Sequence, residues 1–311
     1  MPPKPDVAKF KHFLPSLSTH FHKGEAGRIG IVGGSEEYTG APYFSGLTSM
    51  KMGTDLCHIF CDTNASTAIK SYSPDLIVHP YLRSGLQSDE TIQDAVQRVT
   101  GIYSRLHVLV VGPGLGRDAA IQRTAKALIE QARQQQMKIV IDADGLYLVQ
   151  LHPDSIKNYR KAVLTPNVVE FKRLCETMNV DMNQADPCLV TQELSRALGG
   201  VTVVRKGSTD IIANDQFVLV SDHPGGLKRM GGQGDLLSGA IASFLAWDKR
   251  NETYLTEQGI TPDIYPLYAA WNASVVVRES ARQAFEKHGR SVLTSHMLEE
   301  LGSALTTLER Q

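Results

Sequence analysis

Residues 225–235 read Gly-Gly-Leu-Lys-Arg-Met-Gly-Gly-Gln-Gly-Asp and run into an apolar stretch over 236–247. The five glycines among them, Gly225, Gly226, Gly231, Gly232 and Gly234, let the backbone take positive φ and let a ligand approach it closely. The stretch that follows is apolar on nearly every side and is predicted to be a buried helix. A Gly-rich loop entering a helix gathers free N–H groups at one point, where the helix dipole is positive. Such a point suits phosphate. Asp235 stands at the mouth of that anion site, where a carboxylate can take a proton from an attacking hydroxyl. The same residues also fit a plain helix N-cap, because Asp is a favoured cap and Gly-rich loops turn corners.

Other chemistry-bearing residues close predicted strands. Lys206, Gly207, Ser208, Thr209 and Asp210 set a cation, a flexible turn and two hydroxyls after a strand. They suit a nucleotide phosphate or ribose, or form a β-turn into a hairpin. Asn167 and Glu170 offer an amide and a carboxylate at a strand's C-terminal edge, and their spacing is equally that of a capping box. Asp142 and Asp144 supply hard oxygens of the kind Mg²⁺ takes. Asp144 alternatively caps a helix beginning at Gly145; the structural reading is preferred, and neither aspartate is counted as catalytic. Gly112-Pro113-Gly114-Leu115-Gly116 is not a dinucleotide fingerprint, which needs Gly-x-Gly-x-x-Gly in the first strand–helix turn. It is either a tight turn or a point of close backbone contact with a ligand.

Positioning these loops requires an ordered set of strands. Apolar runs at 28–32, 56–61, 76–79, 108–111, 138–141, 162–164, 201–204, 210–213 and 217–220 are predicted strands, about nine in all. The last two form a hairpin around Asn214-Asp215. Helical patterns fall at 42–52, 65–72, 89–105, 118–135, 168–177, 189–198, 265–286 and 294–308, besides the helix after Asp235. Alternation of this kind predicts an α/β fold with a mostly parallel sheet and helices on both faces. No linker or repeat divides the chain, so 1–311 is expected to be one domain, with 1–27 an N-terminal extension across the surface. Open parallel sheets bind ligands beyond the carboxyl ends of their strands. The loops at 33–35, 112–116, 142–145, 165–167, 205–210 and 225–235 gather there.

The totals narrow the function. The chain has 311 residues, 42% of them apolar, and a formal net charge of −1, so nothing suggests a nucleic-acid or membrane surface. Cys57, Cys61, Cys175 and Cys188 show no Cys-x-x-Cys spacing, which leaves zinc and redox motifs unsupported. No apolar run reaches transmembrane length. The first residues read as neither signal nor transit peptide, which makes a cytoplasmic location the expectation.

Taken together, eight stretches resemble one family closely. They are HKGEAGRIGIVGGS at 22–35, YTGAPYFS at 38–45, SYSPDLIVHPYL at 71–82, VVGPGLGRD at 110–118, VIDADGL at 140–146, LTPNVVEFKRL at 164–174, KGSTDII at 206–212 and GGQGDLLSGAI at 231–241. The family is the ATP-dependent (S)-NAD(P)H-hydrate dehydratases, relatives of ribokinase. The resemblance implies a ribokinase-like single domain and a carbon–oxygen lyase that repairs hydrated NADH or NADPH. ATP, with Mg²⁺, would phosphorylate the added ring hydroxyl, and loss of phosphate would restore the cofactor. It implies Asp235 as catalytic base. It places ATP at Lys206, Gly207, Ser208, Thr209 and Asp210, and along Gly225, Gly226, Leu227, Lys228, Arg229, Met230, Gly231, Gly232, Gln233 and Gly234. It places the hydrated nucleotide at Gly116, Asn167, Val168, Val169, Glu170, Phe171, Lys172, Arg173 and Asp235. Protein ligands for the metal are left open. The GGQGD and LTPNVVEF forms resemble the eukaryotic, ATP-using branch; bacterial relatives tend to carry His-Pro-Gly before the Glu, where Val168 and Val169 stand here. The resemblance further implies a separate epimerase for the R form, since the motifs leave no room for a fused one, and a homo-oligomer. Two rival readings share Asp235: a vitamin-precursor kinase of the same superfamily, and a nucleotide sensor without activity.

Overall fold

In a computed structural model, which describes residues 5–16 and 18–311, one sheet organises the chain. Its strands are β1 (Arg28–Val32), β2 (Leu56–Asp62), β3 (Ile77–Leu82), β4 (Val108–Val111), β5 (Lys138–Ile141), β6 (Ala162–Leu164), β7 (Thr202–Arg205), β8 (Asp210–Ala213) and β9 (Val218–Ser221). The order across the sheet is β3-β2-β1-β4-β5-β6-β7-β8-β9. β3 to β7 run parallel, and β8 and β9 are antiparallel additions. Asn214 Oδ1 accepts the N–H groups of Gln216 and Phe217 and closes the expected hairpin.

The central strands β4, β5 and β6 are short apolar runs buried along almost their whole length, as a sheet covered by helices on two faces demands, whereas the edge strands β3 and β9 are partly exposed. Alternate residues enter different cores: Val108 and Val110 face one, Leu109 and Val111 the other. The first core is closed by α1 (Gly40–Met52), α2 (Thr63–Tyr72), α8 (Gln233–Ala246), α10 (Tyr265–His288) and α11 (Thr294–Glu309). The second is closed by α3 (Asp89–Thr100), α4 (Ala119–Gln134), α5 (Asp144–Leu151), α6 (Val168–Thr177) and α7 (Pro187–Ala197). α8 is the buried helix expected after Asp235, and every residue from Leu236 to Leu245 is buried. It lies so close to α1 that a Cβ on Gly239 would fall 2.1 Å from the Ser45 carbonyl oxygen.

Three expectations are corrected. The N-terminal segment does more than cross the surface: Val7–Phe13 is a 3-10 helix whose Phe10 and Phe13 are buried in the first core. Residues 1–4 and 17 of that extension lie outside the described residues. β3 runs on to Leu82 through Pro80, which an edge strand tolerates because one row of its N–H groups has no partner. The helix expected over 89–105 stops at Thr100 before Gly101, and Tyr103–Arg105 is a separate 3-10 turn. A further short helix, α9 (Glu252–Glu257), carries no amphipathic signal of its own.

Candidate active site

The strand order reverses between β1 and β4, so the loops that leave them part and open a crevice. They are tied where the Gly34 N–H donates to the carbonyls of Pro113 and Gly114 at 3.0 and 3.1 Å. Gly112 must be glycine, since a Cβ would stand 1.7 Å from the Asp142 carbonyl. That contact presses the β4 loop onto a tight turn after β5. In the turn, Ala143 takes φ 47° and ψ −119°, a costly conformation for a residue with a side chain.

The turn divides two aspartates between two cavities. Asp142 lines a cavity of about 660 Å³, Asp144 lines one of about 770 Å³, and Ala143 lines both. Asp142 is buried, and its Oδ1 accepts the Thr165 hydroxyl at 2.7 Å and the Lys206 ammonium at 3.0 Å. Burial works against the charge on Lys206, but Asp142, Glu170 and Asp235 around it outweigh burial and hold its pKa above the ordinary value. Asp144 is not a cap: it is the first residue of α5, and its carboxylate accepts the Gly116 N–H at 3.0 Å.

Asp235 is the other residue common to both cavities. Gly232, at φ 91°, ends the loop, so Gln233, Gly234 and Asp235 form the first turn of α8 rather than the loop before it. This overturns the N-cap alternative for Asp235. Among the described residues no hydrogen bond reaches its carboxylate, although the residue is half-buried. Burial first, and then the charge of Asp142, push its pKa up to about 8; Lys206 opposes them. A carboxylate so placed is poised to exchange a proton near neutrality.

The first cavity sets three cations and glycine backbone among four acidic side chains, Asp142, Glu170, Asp210 and Asp235. Lys206, Arg229 and Arg278 line it, with the backbone of Gly225, Gly226, Gly232 and Gly234. Asp210, also in its wall, is fully committed: the Gly207 N–H, the Ser274 hydroxyl and the Arg278 guanidinium all donate to its carboxylate. Arg278 further donates to the carbonyls of Gly207 and Ser208, which holds the 207–210 turn against α10. Across the cavity, Asn167 and Glu170 form the capping box of α6. The Asn167 side chain accepts from the N–H of Val169 and Glu170, and Glu170 Oε2 accepts from the N–H of Asn167 at 2.8 Å. Capping uses one Glu170 oxygen, and the residue still lines the cavity. Burial raises its pKa, and Lys206 works the other way.

A family described as NAD(P)H-hydrate dehydratase matches this chain over residues 29–302. The chain belongs to that family. A mouse protein named ATP-dependent (S)-NAD(P)H-hydrate dehydratase is 47% identical over 299 residues, which cover 96% of this chain and 84% of the relative. A protein of the same name from Phaeosphaeria nodorum is 42% identical over 302 residues, covering 96% and 93%. Among solved structures, a ribokinase-like superfamily protein from Enterococcus faecalis superposes with a TM-score of 0.76 at 22% identity, covering 98% of this chain and 95% of that one. The ribokinase-like α/β fold is thereby established.

Within the dehydratase frame, the residues singled out in the sequence divide unevenly. Lys206, Gly207, Asp210, Gly225, Gly226, Arg229, Met230, Gly232, Gln233 and Gly234 line the first cavity together. Leu227 is 82% exposed, and Ser208 and Gly231 are exposed as well. Thr209 lines neither cavity. Lys228 is not in the lining of the first cavity and donates to the Val292 carbonyl at 2.8 Å, and the Gly231 carbonyl accepts the Thr294 hydroxyl. Asn167, Val168, Val169 and Glu170 share the first cavity, whereas Gly116 lines the second. Phe171, Lys172 and Arg173 reach neither: the helical period turns Phe171 into the second core and leaves Lys172 and Arg173 exposed. Arg278 was missed, because a basic residue within a long buried helix carries no local signal.

Proposed function

We propose that the chain is an ATP-dependent dehydratase of the S form of hydrated NADH and NADPH. The observation that carries the reading is the position of Asp235. Its carboxylate, which accepts no hydrogen bond among the described residues, lines both the cavity that holds Lys206, Arg229 and Arg278 and the crevice beside it. ATP occupies the first cavity, with its phosphates directed to the α8 N-terminus and Lys206. The hydrated ring enters the second, beside Gly116. Asp235 then takes the proton of the ring hydroxyl as that oxygen attacks the terminal phosphorus and ADP leaves. The N–H groups of the first turn of α8 stabilise charge on the transferring phosphoryl group. The lone pair of the ring nitrogen expels the phosphate, and loss of a proton from the adjacent ring carbon restores the double bond. Names shared with relatives at 42% and 47% identity support this reading over a small-molecule kinase.

Mg²⁺ fits the donor set of the first cavity: it favours oxygen and is content with one carboxylate beside nucleotide phosphates. Glu170 would supply that carboxylate, since capping leaves one of its oxygens free. When bound, the ion would neutralise phosphate charge. A separate epimerase is proposed to convert the R form into the substrate.

The test is hydrated NADH with Mg-ATP. Reduced-nicotinamide absorbance should return, with ADP and free phosphate formed in equal amount. A phosphorylated product that persists would establish the kinase instead. Glu170→Gln is expected to keep the capping box, because Gln serves at that position, and so to keep the melting temperature. It should raise the KM for Mg-ATP roughly tenfold, about 1.4 kcal/mol. A variant with parental KM would reduce Glu170 to its capping role. Glu170→Ala should lose both functions, the cap being worth about 1 kcal/mol.

A further inference from the structure

The second cavity has an electrostatic problem. Six carboxylates line it, from Glu36, Glu37, Asp62, Asp118, Asp144 and Asp235, and its lining contains one cation, Arg117. Two of the acids cap helices, Asp62 that of α2 and Asp118 that of α4, but neither is neutralised by capping. A dinucleotide brings a diphosphate with it and would be repelled from such a wall.

We infer that Arg117 is the residue that receives the substrate's diphosphate at the second cavity. This rests on the dehydratase reading above and names a recognition residue for it. The side chain is half-exposed at 56%, yet it is held at two points. Its Nε lies 3.3 Å from Asp144 Oδ1, and its guanidinium carbon lies 4.5 Å from the centre of the Tyr147 ring. No other hydrogen bond to the guanidinium occurs among the described residues, so both terminal nitrogens remain available. A planar, anchored fork with free N–H groups is the form in which arginine binds phosphate oxygens in pairs. Asp144 joins this anchor to the catalytic end, because its other oxygen accepts the N–H of Gly116. The diphosphate thus docks one residue from the backbone that borders the reacting ring.

The measurement compares the parent with Arg117→Ala and Arg117→Lys, using hydrated NADH, ATP and an uncharged competitor, hydrated reduced nicotinamide riboside. Arg117→Ala should raise the KM for hydrated NADH about tenfold and leave the KM for ATP unchanged. The riboside, which has no phosphate, should inhibit parent and variant with the same Ki. Raising the salt should weaken hydrated NADH in the parent more than in the alanine variant. Lysine should restore part of the loss, as a charge without the fork. An unchanged KM for hydrated NADH would overturn the inference. So would a riboside Ki that worsens in step with that KM, since Arg117 would then only brace Asp144 and Gly116. A parent that does not turn over hydrated NADH at all would instead bring down the dehydratase reading on which the inference stands.

Discussion

Asp235→Asn is expected to cut turnover of hydrated NADH by roughly 10²–10⁴-fold, about 3–5 kcal/mol of transition-state stabilisation. The variant keeps the size of the side chain and the first turn of α8, whose cap is Gly232 and not Asp235. ATP binding should survive at neutral pH and tighten relative to the parent only above about pH 8, where the parent carboxylate becomes charged beside the phosphates. The pH dependence separates this role from a structural one. With its pKa pushed up to about 8, Asp235 is mostly protonated at neutrality, so kcat/KM of the parent should rise with pH and level off above that value. The residual rate of the variant should lack that rise. Stability should move the other way. A carboxylate whose folded pKa is raised keeps a proton that the unfolded chain has lost, so the parent loses stability as pH climbs from about 4 to about 8. Asparagine removes that loss, and the variant's advantage in melting temperature should widen over the same window. The helix dipole favours the charged parent by only about 0.3–1 kcal/mol and is the smaller effect. A stable variant that binds ATP and turns over within a fewfold of the parent would remove Asp235 as the base.

The sheet was legible because its strands announce themselves locally. Residues 108–111, 138–141 and 162–164 are short apolar runs followed by Gly112, Asp142 and Thr165-Pro166, and these strands begin and end where the pattern does. The loops at their carboxyl ends were legible for the same reason. What local pattern cannot carry is the joining of distant segments. Arg278 acts only because α10 lays it against the turn at 207–210, some 70 positions away in sequence. Asp142 showed in sequence only as a hard oxygen or a structural residue, and its partners Lys206 and Thr165 come from two other strand ends. Phe10 and Phe13 sit in a segment rich in Lys and Pro, where composition masks two core contacts. The stretch at 167–173 shows both sides. Its capping box was readable from spacing, yet only the helical period decides that 167–170 face the cavity while Phe171 faces the core.

Gly234→Val is expected to lower kcat/KM for ATP by roughly 10²–10³-fold, the scale seen when an anion hole loses a donor. Gly234 is a better test of the anion site than Gly232. At Gly232 the backbone has φ 91° and a Cβ would stand 2.9 Å from Thr294 Cγ2, so a valine there strains the loop as well as the site. At Gly234 the backbone is helical, and the nearest groups to a new Cβ are the Lys206 ammonium at 3.1 Å and Asp142 Oδ2 at 3.8 Å. A methyl group meets only the flexible end of a lysine, which can yield by a few tenths of an ångström. Valine adds two further carbons where Lys206 and the phosphate must both fit. The alanine variant therefore gives the sharper signature. In a helix Ala is favoured over Gly by up to about 1 kcal/mol, so Gly234→Ala should melt at the parental temperature or above while using ATP less well. Valine should extend the same trend in activity without unfolding the chain. Stability that holds or rises while activity falls is what a cradle for phosphate predicts and what a mere corner in the chain does not. A folded Gly234→Val protein with near-parental kcat/KM for ATP would dispose of the cradle.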